Sequence, residues 1–158
     1  MRECLEGVGY VSYIKVRHCD TAAGKGSAMS GAASPAVLVV DDDQNVRDLI
    51  CAILGSKGYG TAVAGNGKEA LTYLRSSSMR PRLILLDLMM PEMTGWEFQK
   101  AQQEDPALCG IPVAIITGLS RFEGQATALG AVDVLCKPSR IETLVSLVSR
   151  FCGKPAGG

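Results

Sequence analysis

From Pro35 onward, short unbroken apolar runs alternate with longer stretches in which apolar residues recur every three or four positions. Ala36-Val37-Leu38-Val39-Val40 is the first such run, the pattern of a strand covered on both faces. Val46, Leu49, Ile50, Ile53 and Leu54 then follow at helical spacing and predict a helix with one buried stripe. Asp43 stands where that helix needs an N-cap and Gly58 where it needs a C′ residue. A short strand is expected near Gly60 to Ala64, and Asn66 caps a helix carrying Ala70, Leu71 and Leu74. Arg82-Leu83-Ile84-Leu85-Leu86-Asp87 is a second buried strand, and it ends on a carboxylate.

The alternation continues to the end of the chain. A helix from about Thr94 to Glu104 precedes the apolar strand Pro112-Val113-Ala114-Ile115-Ile116-Thr117. A weaker helical pattern, from about Ser120 to Leu129, leads into Val132-Asp133-Val134-Leu135-Cys136. The last helix carries Ile141, Leu144, Val145, Val148 and Phe151. Five strands alternating with five helices predict an α/β fold: a doubly wound five-stranded parallel sheet with helices on both faces.

Residues 1–34 differ from this pattern. Thr21 to Ser34 is almost entirely Ala, Gly, Ser and Thr, the composition of a flexible linker. The expected organisation is a disordered extension over 1–34, one domain over 35–153 and a short tail over 154–158.

Composition excludes several functions. Sixteen basic residues balance sixteen acidic ones, so the clustered positive face that nucleic acid requires is not expected. No apolar run approaches the roughly 20 residues that span a bilayer, and the N-terminus lacks a secretory h-region, so a cytoplasmic protein is expected. The six cysteines form no CxxC pair and no metal-ligand spacing. They read as reduced thiols, with Cys51 and Cys136 as small core residues.

In a doubly wound sheet the ligand site lies beyond the carboxyl ends of the strands. Those ends carry Asp41, Asp42 and Asp43, then Asp87, Thr117 and Lys137-Pro138. Singly, each has an ordinary explanation: Asp43 is a helix cap, and a lone Thr or Lys at a strand end is usually solvated surface. Together they form a problem in electrostatics. Each pair of carboxylates about 4 Å apart repels by about 4 kcal/mol at an effective dielectric near 20. A hard divalent cation such as Mg²⁺ (or Mn²⁺) relieves that repulsion through oxygen ligands. An ammonium at Lys137, a hydroxyl at Thr117 and a carboxylate poised for attack then complete a site suited to phosphoryl transfer.

These motifs resemble those of the response-regulator receiver family, over residues 36 to about 152. Val37-Leu38-Val39-Val40-Asp41-Asp42-Asp43 resembles the family's first strand and acidic pair. Leu83 to Gly95 resembles its phosphoacceptor strand and loop, including Pro91 and Gly95. Ile115-Ile116-Thr117-Gly118 resembles its hydroxyl switch, and Cys136-Lys137-Pro138 its lysine with a usually cis proline. The resemblance implies a flavodoxin-like receiver fold and a phosphoacceptor at Asp87. Mg²⁺ would be held by Asp42, Asp87 and the backbone carbonyl of Met89, with Asp41 acting through water. Thr117 and Lys137 would bind phosphoryl oxygens. The donor would be a phosphohistidine on a histidine kinase or histidine phosphotransfer protein, not His18 of this chain. With no output domain in the chain, the expected output is contact with a downstream protein target, and the role is that of a signalling phosphoacceptor rather than an enzyme.

Three departures from the family pattern matter. Val134 stands where members often carry the aromatic part of the switch. Ser139, where many carry Phe, reads as a cap for the last helix. Met89 and Leu119, which flank the phosphorylation site, are both apolar and cannot orient an attacking water. Slow self-dephosphorylation is the expectation. Among rival functions, a degenerate receiver that binds without phosphorylation is disfavoured because every core site residue is present. A haloacid-dehalogenase-type hydrolase needs a second Asp where Met89 stands. A nucleotide-binding Rossmann domain needs a Gly-rich turn where the acidic run Asp41-Asp42-Asp43 stands.

Overall fold

The computed structural model describes residues 35–118, 128 and 130–155. The expected extension over 1–34, most of the helix expected near 120–129, Leu119 and residues 156–158 lie outside the described residues.

Five strands form one parallel sheet: β1 (Val37–Val40), β2 (Thr61–Ala64), β3 (Leu83–Leu86), β4 (Val113–Thr117) and β5 (Asp133–Cys136). Their order is β2-β1-β3-β4-β5, so the chain reverses direction of winding between β1 and β3. Among the described residues there are four helices: α1 (Gln44–Ser56), α2 (Gly67–Ser76) and α3 (Gly95–Glu104) between strands, and α4 (Ile141–Cys152) after β5. This is the doubly wound architecture expected from the alternation, with strand bounds within about a residue of the apolar runs.

The sheet holds because its central strands are dry on both faces. Every residue of β1 and β3 is at most 1% exposed. Each fully buried Val or Leu contributes roughly 1.5–3 kcal/mol. One face of the sheet packs Leu38, Val40, Ile84 and Leu86 against Leu71, Leu74 and Phe98 of α2 and α3. The other packs Val37, Val39, Leu83 and Leu85 against Ile50 and Leu54 of α1 and Leu144, Leu147 and Val148 of α4.

Helix starts follow the local chemistry. The Asp43 carboxylate accepts from the Asn45 N–H at 2.8 Å, and the Asn66 side chain accepts from the Glu69 N–H at 2.9 Å. Thr94 and Glu97 form a reciprocal capping box at the start of α3. Gly58 follows α1 at φ +84, the left-handed conformation that makes glycine suitable there. Three expectations fail. Leu49, placed on the buried stripe of α1, is 61% exposed, because only Ile50 and Leu54 face the sheet squarely. The last helix is preceded by Arg140 with no side-chain cap bond, so Ser139 does not cap it. Of the described cysteines, all free, Cys152 is the buried one; Cys51 does pack against the core, partly buried, whereas Cys136 is partly buried outside the core clusters.

Candidate functional site

All the strand-end residues singled out in the sequence, within the described chain, gather at the carboxyl edge beside the β1/β3 reversal. Asp41 follows β1 and Asp87 follows β3, and the two strands pair directly, with Val40 beside Leu86. Their carboxylates are therefore neighbours by register. Asp41 is 2% exposed and Asp87 6%, while Asp42 points to solvent. Carboxylate oxygens of Asp41, Asp42 and Asp87 lie within 4.8 Å of one another.

Lys137 enters from the end of β5, immediately before the cis peptide that joins it to Pro138. Its Nζ donates to Asp41 Oδ2 at 2.5 Å and to Asp87 Oδ1 at 3.2 Å. Thr117, wholly buried, ends β4, and its carbonyl accepts from the Lys137 N–H at 2.7 Å. The Met89 N–H donates to Asp87 Oδ2 at 3.1 Å, while the Met89 side chain is 62% exposed. Asp43 caps α1, as its ordinary reading held, and its N–H also donates to Asp41 Oδ1 at 3.0 Å. Both oxygens of Asp41 are thus engaged by the protein, while Asp42 faces outward.

Burial pushes the Asp87 carboxyl above its ordinary pKa; the ammonium of Lys137 opposes that rise and the Asp41 charge reinforces it. For Lys137, burial alone would favour the neutral amine. The hydrogen bonds and charges of Asp41 and Asp87 outweigh it, and its pKa is raised. Three carboxylates against one ammonium leave two negative charges in a cleft whose two inner carboxylates are almost dry. That residual charge, presented on oxygen donors, fits a hard divalent cation.

Two further residues shape the site, of which Arg47 was not singled out in the sequence and Gly95 only as a motif position. Arg47, in the first turn of α1, donates from Nη1 to the Asp41 carbonyl at 2.6 Å and fixes the turn that aims the acidic pair. Its signal was a basic residue one turn into a helix that follows an acidic strand end. Gly95 is the other. A Cβ there would run into the Asp87 carbonyl oxygen and stand 2.8 Å from Leu88 Cα. The Gly95 N–H meanwhile donates to the Leu88 carbonyl at 3.0 Å. Only a residue without a side chain lets α3 start against the backbone of the nucleophile candidate.

The family profile described as "Response regulator receiver domain" matches residues 37–149. The chain belongs to the response-regulator receiver family. It is 36% identical over 114 residues to the DNA-binding response regulator MtrA of Mycobacterium tuberculosis (strain ATCC 25618 / H37Rv), covering 71% of this chain and 48% of that protein. The chain thus spans about half the length of the curated relatives it first matches. Among solved structures, the chemotaxis protein CheY4 of Vibrio cholerae superposes with a TM-score of 0.67 at 34% identity, covering 75% of this chain and 99% of that one. The response regulator TrrA of Thermotoga maritima, solved in complex with Mg²⁺-BeF, gives a TM-score of 0.65 at 27% identity, covering 73% and 96%. Receiver domains are signalling phosphoacceptors of two-component systems; they bind Mg²⁺ at an acidic pocket and interact with histidine kinases and downstream targets. No helix among the described residues is long and apolar enough to cross a membrane.

Proposed function

We propose that this receiver takes a phosphoryl group from a partner's phosphohistidine onto Asp87, in a Mg²⁺-dependent reaction, and signals through protein contact. The observation that carries the reading is the Asp87 carboxylate itself. It is nearly buried at a strand end, touched by one ammonium and one backbone N–H, and flanked by two further carboxylates. A carboxylate oxygen of Asp87 attacks phosphorus, the P–N bond of the phosphoimidazole breaks, and the imidazole leaves as a neutral ring after taking up a proton.

Asp42, Asp87 and the Met89 carbonyl are the proposed ligands of Mg²⁺, with Asp41 acting through water. The bound cation would supply neutralisation of the charge that builds on the phosphoryl oxygens. The protein's own residues do the positioning. Lys137 already spans Asp41 and Asp87, and release of its bond to Asp41 lets the ammonium follow a phosphoryl oxygen. The Thr117 hydroxyl, at the end of the adjacent strand, is the proposed second donor. Slow hydrolysis of the aspartyl phosphate is part of the same proposal, resting on the apolar side chain of Met89 and the apolar residue type at Leu119. A cytoplasmic location is part of the same reading, because phosphohistidine donors of this type act there.

The test is transfer from a ³²P-labelled histidine phosphotransfer protein in the presence and absence of a chelator. Label should move to the wild-type chain with Mg²⁺ and stay on the donor with chelator or with Asp87→Asn. Label on Asp87→Asn would reject the assignment.

A further inference from the structure

A small apolar cluster joins the segment after β3 to α3, β4 and β5. Leu88, immediately after Asp87, and Ile115 are both 0% exposed, and Trp96, Ala131 and Val134 pack against them. Ile115 pairs in register with Val134 across β4 and β5. Strand alternation places Thr117, two residues beyond Ile115, on the same face of the sheet. Trp96 follows Gly95, whose N–H is bonded to Leu88 and whose missing side chain seats α3 on the Asp87 backbone. Trp96 is thus joined to the candidate phosphoacceptor by backbone and packs on the same Leu88–Ile115 pair as Val134 of β5, the strand that leads to Lys137. It is the single tryptophan of the chain.

We infer that Trp96 is a positioning residue that couples the phosphorylation state of Asp87 to β5, an inference that rests on the phosphoacceptor reading above. Close-packed interiors do not absorb small displacements; they pass them to the next side chain. A shift of the Asp87–Leu88 backbone toward a bound phosphoryl group moves the first turn of α3, and the indole is the largest side chain in the cluster that must repack. Val134 is too small to fill that space, so the aromatic bulk at this junction comes from α3. Coupling is reciprocal, so a partner that displaces Trp96 alters the stability of the phosphoryl group on Asp87.

Because the chain holds one tryptophan, its emission reads the cluster directly. The whole 158-residue chain is treated with Mg²⁺ and acetyl phosphate, and phosphoryl occupancy is measured by mass on the same samples. The expected result is a shift in the emission maximum and in acrylamide quenching that tracks occupancy and is absent in Asp87→Asn. Hydrogen exchange at residues 131–134 should also respond to phosphorylation in the wild type and in Trp96→Phe, and not in Trp96→Ala. Full occupancy with unchanged emission and quenching overturns the coupling and leaves the phosphoacceptor reading intact. Absence of any phosphorylation overturns both.

Discussion

Gly95→Ala is the smallest change that should disturb both stability and the site. The new methyl group would overlap the Asp87 carbonyl oxygen, stand 2.8 Å from Leu88 Cα and lie 3.1 Å from the Asp87 carbonyl carbon. All three neighbours are backbone, so no rotamer change relieves the clash. Either α3 lifts or the end of β3 bends. Overpacking a tight site costs about 1–3 kcal/mol. Lifting α3 also stretches the 3.0 Å bond from Gly95 N–H to Leu88 O, worth about 1 kcal/mol net. The expected loss is therefore about 2–4 kcal/mol, a large part of the 5–15 kcal/mol that typically holds a domain. Urea unfolding followed by circular dichroism measures it, with Gly110→Ala as the control, because a Cβ at Gly110 meets nothing within 4 Å. The control should stay within about 0.5 kcal/mol of wild type. Phosphorylation of the folded Gly95→Ala protein should also be slowed, since the displaced backbone belongs to Asp87. A Gly95→Ala loss no greater than that of Gly110→Ala would refute the close-approach argument.

Four further outcomes follow. Hydrogen bonds from the backbone and side chain of Thr94 hold the Glu97 carboxyl below its ordinary value of 4.5. A depressed folded pKa contributes stability that is present above the ordinary carboxyl range and is lost as pH falls through the folded value. Glu97→Gln should therefore flatten part of the acid-side slope of a stability–pH curve, and an unchanged slope would contradict the capping box. Thr94→Ala should cost about 1 kcal/mol in urea unfolding. Met89→Asn combined with Leu119→Glu should speed hydrolysis of the aspartyl phosphate by about tenfold, or about 1.4 kcal/mol off the barrier, the size of one hydrogen bond to an attacking water; an unaltered phosphoryl half-life would count against apolar shielding. Lys137→Met leaves the nearly buried Asp41 and Asp87 facing each other without their ammonium. Its stability in chelator should fall by about 2–3 kcal/mol, below the full figure for a broken buried pair because Lys137 is partly exposed, and Mg²⁺ should restore much of the loss.

The sequence made the strands and the inner site legible for one physical reason. A parallel strand buried on both faces must be an unbroken apolar run, so the polar residue that ends it stands out. Asp41, Asp87, Thr117 and Lys137 were all visible as such endings, and pairing of β1 with β3 brought the two carboxylates together. Features that depend on what lies opposite a residue were harder to see. Leu49 matches the helical period of Ile50 and Leu54, yet its exposure depends on where the sheet beneath α1 ends. The burial of Cys152 rather than Cys51 or Cys136 depends on how α4 crosses the sheet, where its thiol sits 3.5 Å from the Ala36 carbonyl. Ser139 has the chemistry of a cap, but α4 starts one residue too late for it. Gly95 could be read as a motif position, whereas its steric role appears only once α3 is laid on the Asp87 backbone.

Phosphorylation of the isolated chain by acetyl phosphate with Mg²⁺, read by intact mass, tests the central claim most directly. Wild type should gain the mass of one phosphoryl group, the modified peptide should contain Asp87, and Asp87→Asn should gain nothing. A wild-type chain that stays unmodified, or an Asp87→Asn chain that is modified as fully as wild type, would contradict the assignment of Asp87 as the phosphoacceptor.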